Sequence, residues 1–167
     1  MKQGEETAFD LFVRKYYKEI LNYCGYRCPD KKYVEDMTQE TFVRFFTNLS
    51  DYHYKGKTKN YLYTIAGNLC KDYLRKVKEV PVEELELSTK IESAGYPMED
   101  VLNKLTVEWA LKQLPDELSE VIILYYFQEL KLTEIADVLH ISLPLVKYRL
   151  RQAKVQLLKL FQKGGKL

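Results

Sequence analysis

Apolar residues recur at three- and four-residue steps through most of the chain, the spacing of a helix with one buried face. Phe9, Phe12, Val13, Tyr16, Tyr17, Ile20 and Leu21 form a first stripe, and Val34, Met37, Thr41, Phe42, Phe45 and Leu49 a second. The third is the most regular: Tyr61, Leu62, Ile65, Ala66, Leu69, Cys70, Tyr73, Leu74 and Val77. No stretch keeps up the alternation of a half-buried strand. Between the second and third stripes, Asp51 to Lys59 reads as a polar loop carrying Tyr52, His53, Tyr54 and Gly56. After Lys78 the periodicity fails, and Val80-Pro81 and Tyr96-Pro97 bracket a linker-like stretch with Gly95. Helical spacing returns near Met98 and runs through Leu102, Leu105, Trp109 and Leu111. Leu114-Pro115-Asp116 interrupts it, with Pro115 suited to a first turn, and Leu118, Val121, Ile122 and Tyr125 follow. The pattern predicts an all-α protein of two small helical domains, 1–78 and 98–167, joined by a linker over 79–97.

Charge sharpens that division. The 167 residues carry a net charge of only +2. Residues 79–100, however, hold seven acids against the single base Lys90, a local −6 that leaves the rest of the chain at +8. Two blocks concentrate the excess: Lys55 to Lys78 has seven bases and one acid, and Leu143 to Lys166 has seven bases and no acid. Two basic blocks flanking an acidic linker suit two surfaces on one polyanion, although solvated helix faces produce the same pattern.

Other chemistry is sparse. The longest apolar run, Val121 to Phe127, has seven residues, far short of the roughly 20 that span a bilayer. The first residues lack the apolar core of a secretion signal, so a cytoplasmic protein without membrane insertion is expected. Cys24, Cys28 and Cys70 form no paired CxxC motif. Cys24 and Cys28 could share a helical face in a redox or metal role, or be reduced, buried thiols. With no phosphate loop and no nucleophile elbow, no catalytic residue, metal or cofactor is expected.

The carboxy-terminal third carries the most specific layout. A short helix from Thr133 to Leu139, burying Ile135, Ala136 and Leu139, is followed by the turn His140-Ile141-Ser142. Ser142 is suited to cap a second helix, and Pro144 fits its first turn. On that helix Val146, Leu150, Ala153 and Leu157 form a narrow core stripe, while Lys147, Arg151 and Lys154 project together at steps of four and three. A helix so built can lie in a major groove and donate to bases and phosphates. Arg149 sits between the two faces and has two readings, an internal pair with Glu134 or a contact to DNA.

These residues resemble a known family. Leu114-Pro115, Val121 to Tyr126, Glu134-Ile135-Ala136 and Val146-Lys147-Tyr148-Arg149-Leu150 resemble region 4 of bacterial extracytoplasmic-function (ECF) sigma factors. Ala8-Phe9, Tyr16-Tyr17, Glu35 to Phe42, and Tyr61 to Asn68 followed by Asp72 and Arg75 resemble region 2. The likeness runs through nearly the whole chain, in order, with an acidic linker between. Several positions depart from it. The family often has Trp at Tyr61, Arg at Gly67 and Gly at His140. It commonly has Gly-Thr at Pro144-Leu145, Ser at Tyr148 and Arg at Gln152. The last three changes lie on the recognition helix and leave its preferred sequence open.

The resemblance implies an alternative sigma factor that directs core RNA polymerase to promoters. Asp36, Gln39 and Glu40 would dock on a coiled coil of the largest polymerase subunit, and the second domain on the flap. Asp36 and Glu40 stand four apart, placed for charge-assisted bonds to arginines. Tyr54, Lys57, Asn68, Lys71 and Arg75 would hold the opened −10 element; Tyr61 would be core or an exposed ring. Lys147, Tyr148, Arg151, Gln152 and Lys154 would read the −35 duplex. An anti-sigma protein is the expected regulator. Two other classes remain: a stand-alone helix-turn-helix repressor or activator, and a nucleic-acid enzyme using Asp72 and Asp36.

Overall fold

The computed structural model describes the backbone of residues 2–49, 57–77 and 98–164, and the side chains of 8–49, 57–77 and 106–162. The linker and the loop residue Tyr54 lie outside the described residues. Seven α-helices account for nearly all of the described chain: α1 (Lys2–Arg27), α2 (Lys31–Thr47), α3 (Thr58–Val77), α4 (Met98–Gln113), α5 (Asp116–Ile122), α6 (Leu132–Leu139) and α7 (Leu143–Gly164). A π-helical turn, Ile123–Phe127, extends α5. The chain divides into two compact units, Met1–Leu85 and Glu86–Leu167.

In the first unit α1, α2 and α3 pack pairwise into a three-helix bundle. Ile20, Tyr23, Cys24, Leu62, Tyr63, Ala66 and Cys70 are fully buried at its centre. Burying an aromatic or large aliphatic side chain contributes roughly 1.5–3 kcal/mol, so this cluster dominates the unit's stability. Phe12 stacks on Phe45 with ring centroids 4.9 Å apart, and Phe45 also meets Tyr61 at 5.7 Å. Tyr61 is therefore half-buried against the core edge. Leu49, assigned to the second stripe by spacing, lies beyond the end of α2 and is exposed. Asp30 caps α2 by accepting from the Lys32 N–H at 3.0 Å. The buried Thr38 and Thr41 hydroxyls donate back to the carbonyls of Val34 and Met37, which leaves neither donor unmet.

Gly67 faces α1 closely. A Cβ there would stand 3.1 Å from the Tyr23 hydroxyl, which itself accepts from the buried Arg27 guanidinium at 2.8 Å. Position 67 therefore has little room for a side chain against α1.

The second unit packs α4 on α5, and α5 and α6 against α7. Val121, Ile123, Leu124, Ile135, Val146 and Ala153 are fully buried. Val138 is buried beside Ile135, whereas Ala136 and Leu139 are only half-buried. Pro115 is the N-cap of α5 rather than a residue of its first turn, and its carbonyl accepts from the N–H groups of Leu118 and Ser119. Asp116 and Glu117 follow at the positive end of the helix dipole.

Two helix ends use a non-glycine residue in the left-handed region. Glu129 (φ 58°) ends the π turn, with Leu130 N–H bonded to the Leu124 carbonyl; His140 (φ 54°) ends α6, with Ile141 N–H bonded to the Ala136 carbonyl. The His140 arrangement is a Schellman motif, which usually employs glycine. An L-residue in this conformation costs roughly 1–2 kcal/mol. His140→Gly is therefore expected to stabilise the second unit by about 0.5–1 kcal/mol after the added chain entropy of glycine is deducted. Thermal unfolding of the two proteins side by side measures it, and an unchanged or lower midpoint would contradict the strain.

Candidate functional site

Three surfaces bring the sequence-predicted residues together. On α7 the Ser142 hydroxyl accepts from the Leu145 N–H at 3.3 Å and so fixes where the helix begins. Val146, Leu150 and Ala153 face the core, which turns Lys147, Arg151 and Lys154 outward, and all three are exposed. Tyr148, 56% exposed, and the half-buried Gln152 occupy the adjoining strip, one turn apart. The result is a cationic helix face beside two hydrogen-bonding side chains, the donor set that reads base edges in a major groove.

Arg149 does not belong to that face. Its guanidinium lies 3.7 Å from Glu117 and 4.0 Å from Glu120, and its side chain is only 18% exposed. The internal reading holds, with partners on α5. The Glu134 carboxylate suggested by the sequence accepts the backbone N–H of Lys131 at 3.1 Å, at the start of α6. Glu120 is 2% exposed, so the pair ties α5 to α7 in a dry setting.

On α3, Asn68, Lys71 and Arg75 fall on one side of the helix, with Tyr61 and Thr64 on the same face, and Lys57 lies just before the helix begins. Lys57, Asn68 and Arg75 are exposed, and Lys71 is half-buried. The Arg75 guanidinium bonds Asp72 at 3.1 Å across an exposed i,i+3 pair. Such a pair contributes at most about 1 kcal/mol, so a phosphate can replace it readily.

On α2, Asp36, Gln39 and Glu40 are exposed and share a face with Val43, itself 55% exposed. Glu40 accepts from the Arg44 Nε at 3.1 Å. The four-residue Glu–Arg spacing is the sequence signal for that pair. The exposed ring of Tyr126 lies 5.7 Å from the Lys154 ammonium, a pairing that no periodicity in the sequence signals.

The family profile described as Sigma-70 region 2 matches residues 12–79, and that described as Sigma-70, region 4 matches residues 104–157. The ECF RNA polymerase sigma factor SigW of Bacillus subtilis (strain 168) is 32% identical over 171 residues, covering 95% of this chain and 91% of SigW. The chain belongs to the ECF RNA polymerase sigma factors. Two solved structures share the fold of this sigma factor. CnrH, solved with the cytosolic domain of CnrY, aligns at a TM-score of 0.75 with 22% identity, over 96% of this chain and 92% of CnrH. RpoE, solved with the anti-sigma factor NepR from Bartonella quintana, aligns at 0.69 with 17% identity, over 93% and 97%.

The sigma factor's three cysteines are buried and form no disulfide. The Cys28 thiol donates to the Asp30 carbonyl at 3.2 Å, and burial pushes its pKa up to about 11. At pH 8 about one Cys28 in a thousand is then a thiolate, the reactive form. A thiol reagent is expected to label Cys28 only after unfolding; rapid labelling of the native protein would favour the redox reading. Among the described residues no cluster of three potential metal ligands exists, and no helix is long and apolar enough to cross a membrane. Asp72 and Asp36 stand on different helices, and Asp72 is occupied by Arg75.

Proposed function

We propose that this sigma factor reads a bipartite promoter while attached to core RNA polymerase in the cytoplasm, without catalysis of its own. The first domain, residues 1–78 within the first unit, docks on the polymerase coiled coil through Asp36, Gln39 and Glu40. It holds the opened −10 strand through Lys57, Asn68, Lys71 and Arg75, with Tyr54 on the preceding loop. The second unit, residues 98–167, reads the −35 duplex through Lys147, Tyr148, Arg151, Gln152 and Lys154 and meets the polymerase flap. The acidic stretch 79–97 links them and avoids the DNA by its charge. Two modules on one tether bind a two-part site more tightly than either alone, because the second contact forms at high effective concentration.

The observation that carries this reading is the exposed Lys147–Arg151–Lys154 face on a capped helix whose 143–166 stretch holds no acid. An anti-sigma protein as regulator is supported by RpoE, which was solved in such a complex. The exposed Val155, Leu158 and Phe161 on α7 would give a covering protein apolar surface to bury. The test is transcription in vitro with core polymerase on a genomic library, with start sites mapped. New starts sharing a −35 and a −10 element are expected. Tight binding of promoter duplex without polymerase, and no added transcription, would favour a stand-alone regulator.

A further inference from the structure

Tyr126 lies outside both the core and the residues assigned to DNA above, yet it is held in place with unusual definition. The Gln128 N–H reaches back five residues to the Ile123 carbonyl at 3.0 Å, the widened register of a π turn. Such turns recur at functional sites because they re-aim the side chains they carry. Here Tyr125 is half-buried and stands perpendicular to Tyr126 at 4.8 Å, bracing a ring that remains 50% exposed. The Lys154 ammonium sits over that ring, 5.7 Å from its centre.

Lys154 completes the exposed basic face of α7, seven residues beyond Lys147. At a helical rise of 1.5 Å per residue the two lie about 10 Å apart along the axis. The major groove is about 12 Å wide. A helix that places Lys147 and Arg151 against base edges therefore brings Lys154 to the phosphates at the groove's rim. A free lysine there would sacrifice side-chain entropy on binding, and an aromatic ring that already confines the ammonium lowers that loss.

We propose that Tyr126 and Lys154 form a phosphate clamp, in which the ring positions the ammonium for a backbone phosphate flanking the −35 bases. The inference rests on the reading of α7 as the −35 helix. Tyr126 acts through Lys154 and is a positioning residue, while Lys154 makes the contact.

The test uses the holoenzyme, core polymerase with the full chain, titrated against a −35-containing promoter duplex over a range of salt. Lys154→Ala is expected to lower the salt slope by about one, the loss of one phosphate contact. Tyr126→Leu, which preserves apolar bulk, is expected to weaken binding about two- to fivefold, whereas Tyr126→Phe, which keeps the ring, should bind like the parent. In a Lys154→Ala background, Tyr126→Leu should have no further effect. An equal loss in both backgrounds, or a Phe variant as weak as Leu, would overturn the clamp. So would parental binding by Tyr126→Leu. Lys147→Ala and Arg151→Ala, measured beside them, separate the two levels. If these bind like the parent, the reading of α7 fails and the clamp with it. If they lose binding while Tyr126→Leu does not, only the clamp fails.

Discussion

Arg149→Ala is expected to destabilise the second unit by about 3 kcal/mol while leaving the first unit's unfolding unchanged. The physical reason is Glu120, whose side chain is 2% exposed and has the Arg149 guanidinium 4.0 Å away. Removing one partner of a buried pair takes away the other's counter-charge in a poorly solvating interior, which costs roughly 3–5 kcal/mol, and the other interactions of Glu120 lessen that loss. The lower end applies here because Arg149 keeps some contact with solvent. In a domain of this size 1 kcal/mol moves the midpoint by about 4–8 °C, so the second unit's transition should fall by roughly 12–24 °C. Glu117→Ala provides the contrast. Glu117 is 72% exposed at 3.7 Å from the same guanidinium, and its loss should change stability by less than about 1 kcal/mol. Calorimetry on the full chain checks both. If Arg149→Ala melts like the parent and loses only promoter binding, the residue reads DNA after all.

Arg149 also shows where the sequence stops being readable. Its spacing on α7 places it between the core stripe and the basic face, and spacing alone leaves it two roles. The choice is made by α5, whose Glu117 and Glu120 come against α7 only after the unit has packed. By contrast, the helices themselves were legible, because one buried face leaves a period of three and four in the apolar residues. The Ser142 cap was legible for a related reason: capping is a local bond between a side chain and the backbone three residues on. The left-handed Glu129 and His140 were hidden. Neither is the glycine that usually marks such a position, and the family's glycine at 140 was the only hint of that geometry. The π turn was hidden too, since its residues Ile123–Phe127 read as a plain continuation of α5. Tyr61 shows tertiary contact deciding between two readings: its ring packs toward Phe45 on α2, so the apolar stripe of α3 governs it.

The functional division proposed for the two units predicts opposite losses from two pairs of substitutions. Lys147→Ala with Arg151→Ala should leave polymerase affinity intact while weakening −35-dependent promoter binding about a hundredfold. Each good base contact contributes roughly 1–3 kcal/mol, and two together reach that factor. The salt slope should fall with it to the extent that either lysine or arginine also meets a phosphate. Asp36→Ala with Glu40→Ala should do the reverse and weaken polymerase binding first. The two carboxylates are not equivalent, however. Glu40 already accepts from Arg44 at 3.1 Å, so an arginine on the polymerase must displace an existing partner. A bond gained by exchange contributes less than one formed at a solvated carboxylate, because only the difference between the two partners counts. Asp36→Ala is therefore expected to lose more polymerase affinity than Glu40→Ala, and Arg44→Ala to gain some by releasing Glu40. Competition between parent and variant chains for a limiting amount of core polymerase measures all three. Equal affinities throughout would remove α2 from the docking face, whatever the fate of the −35 variants.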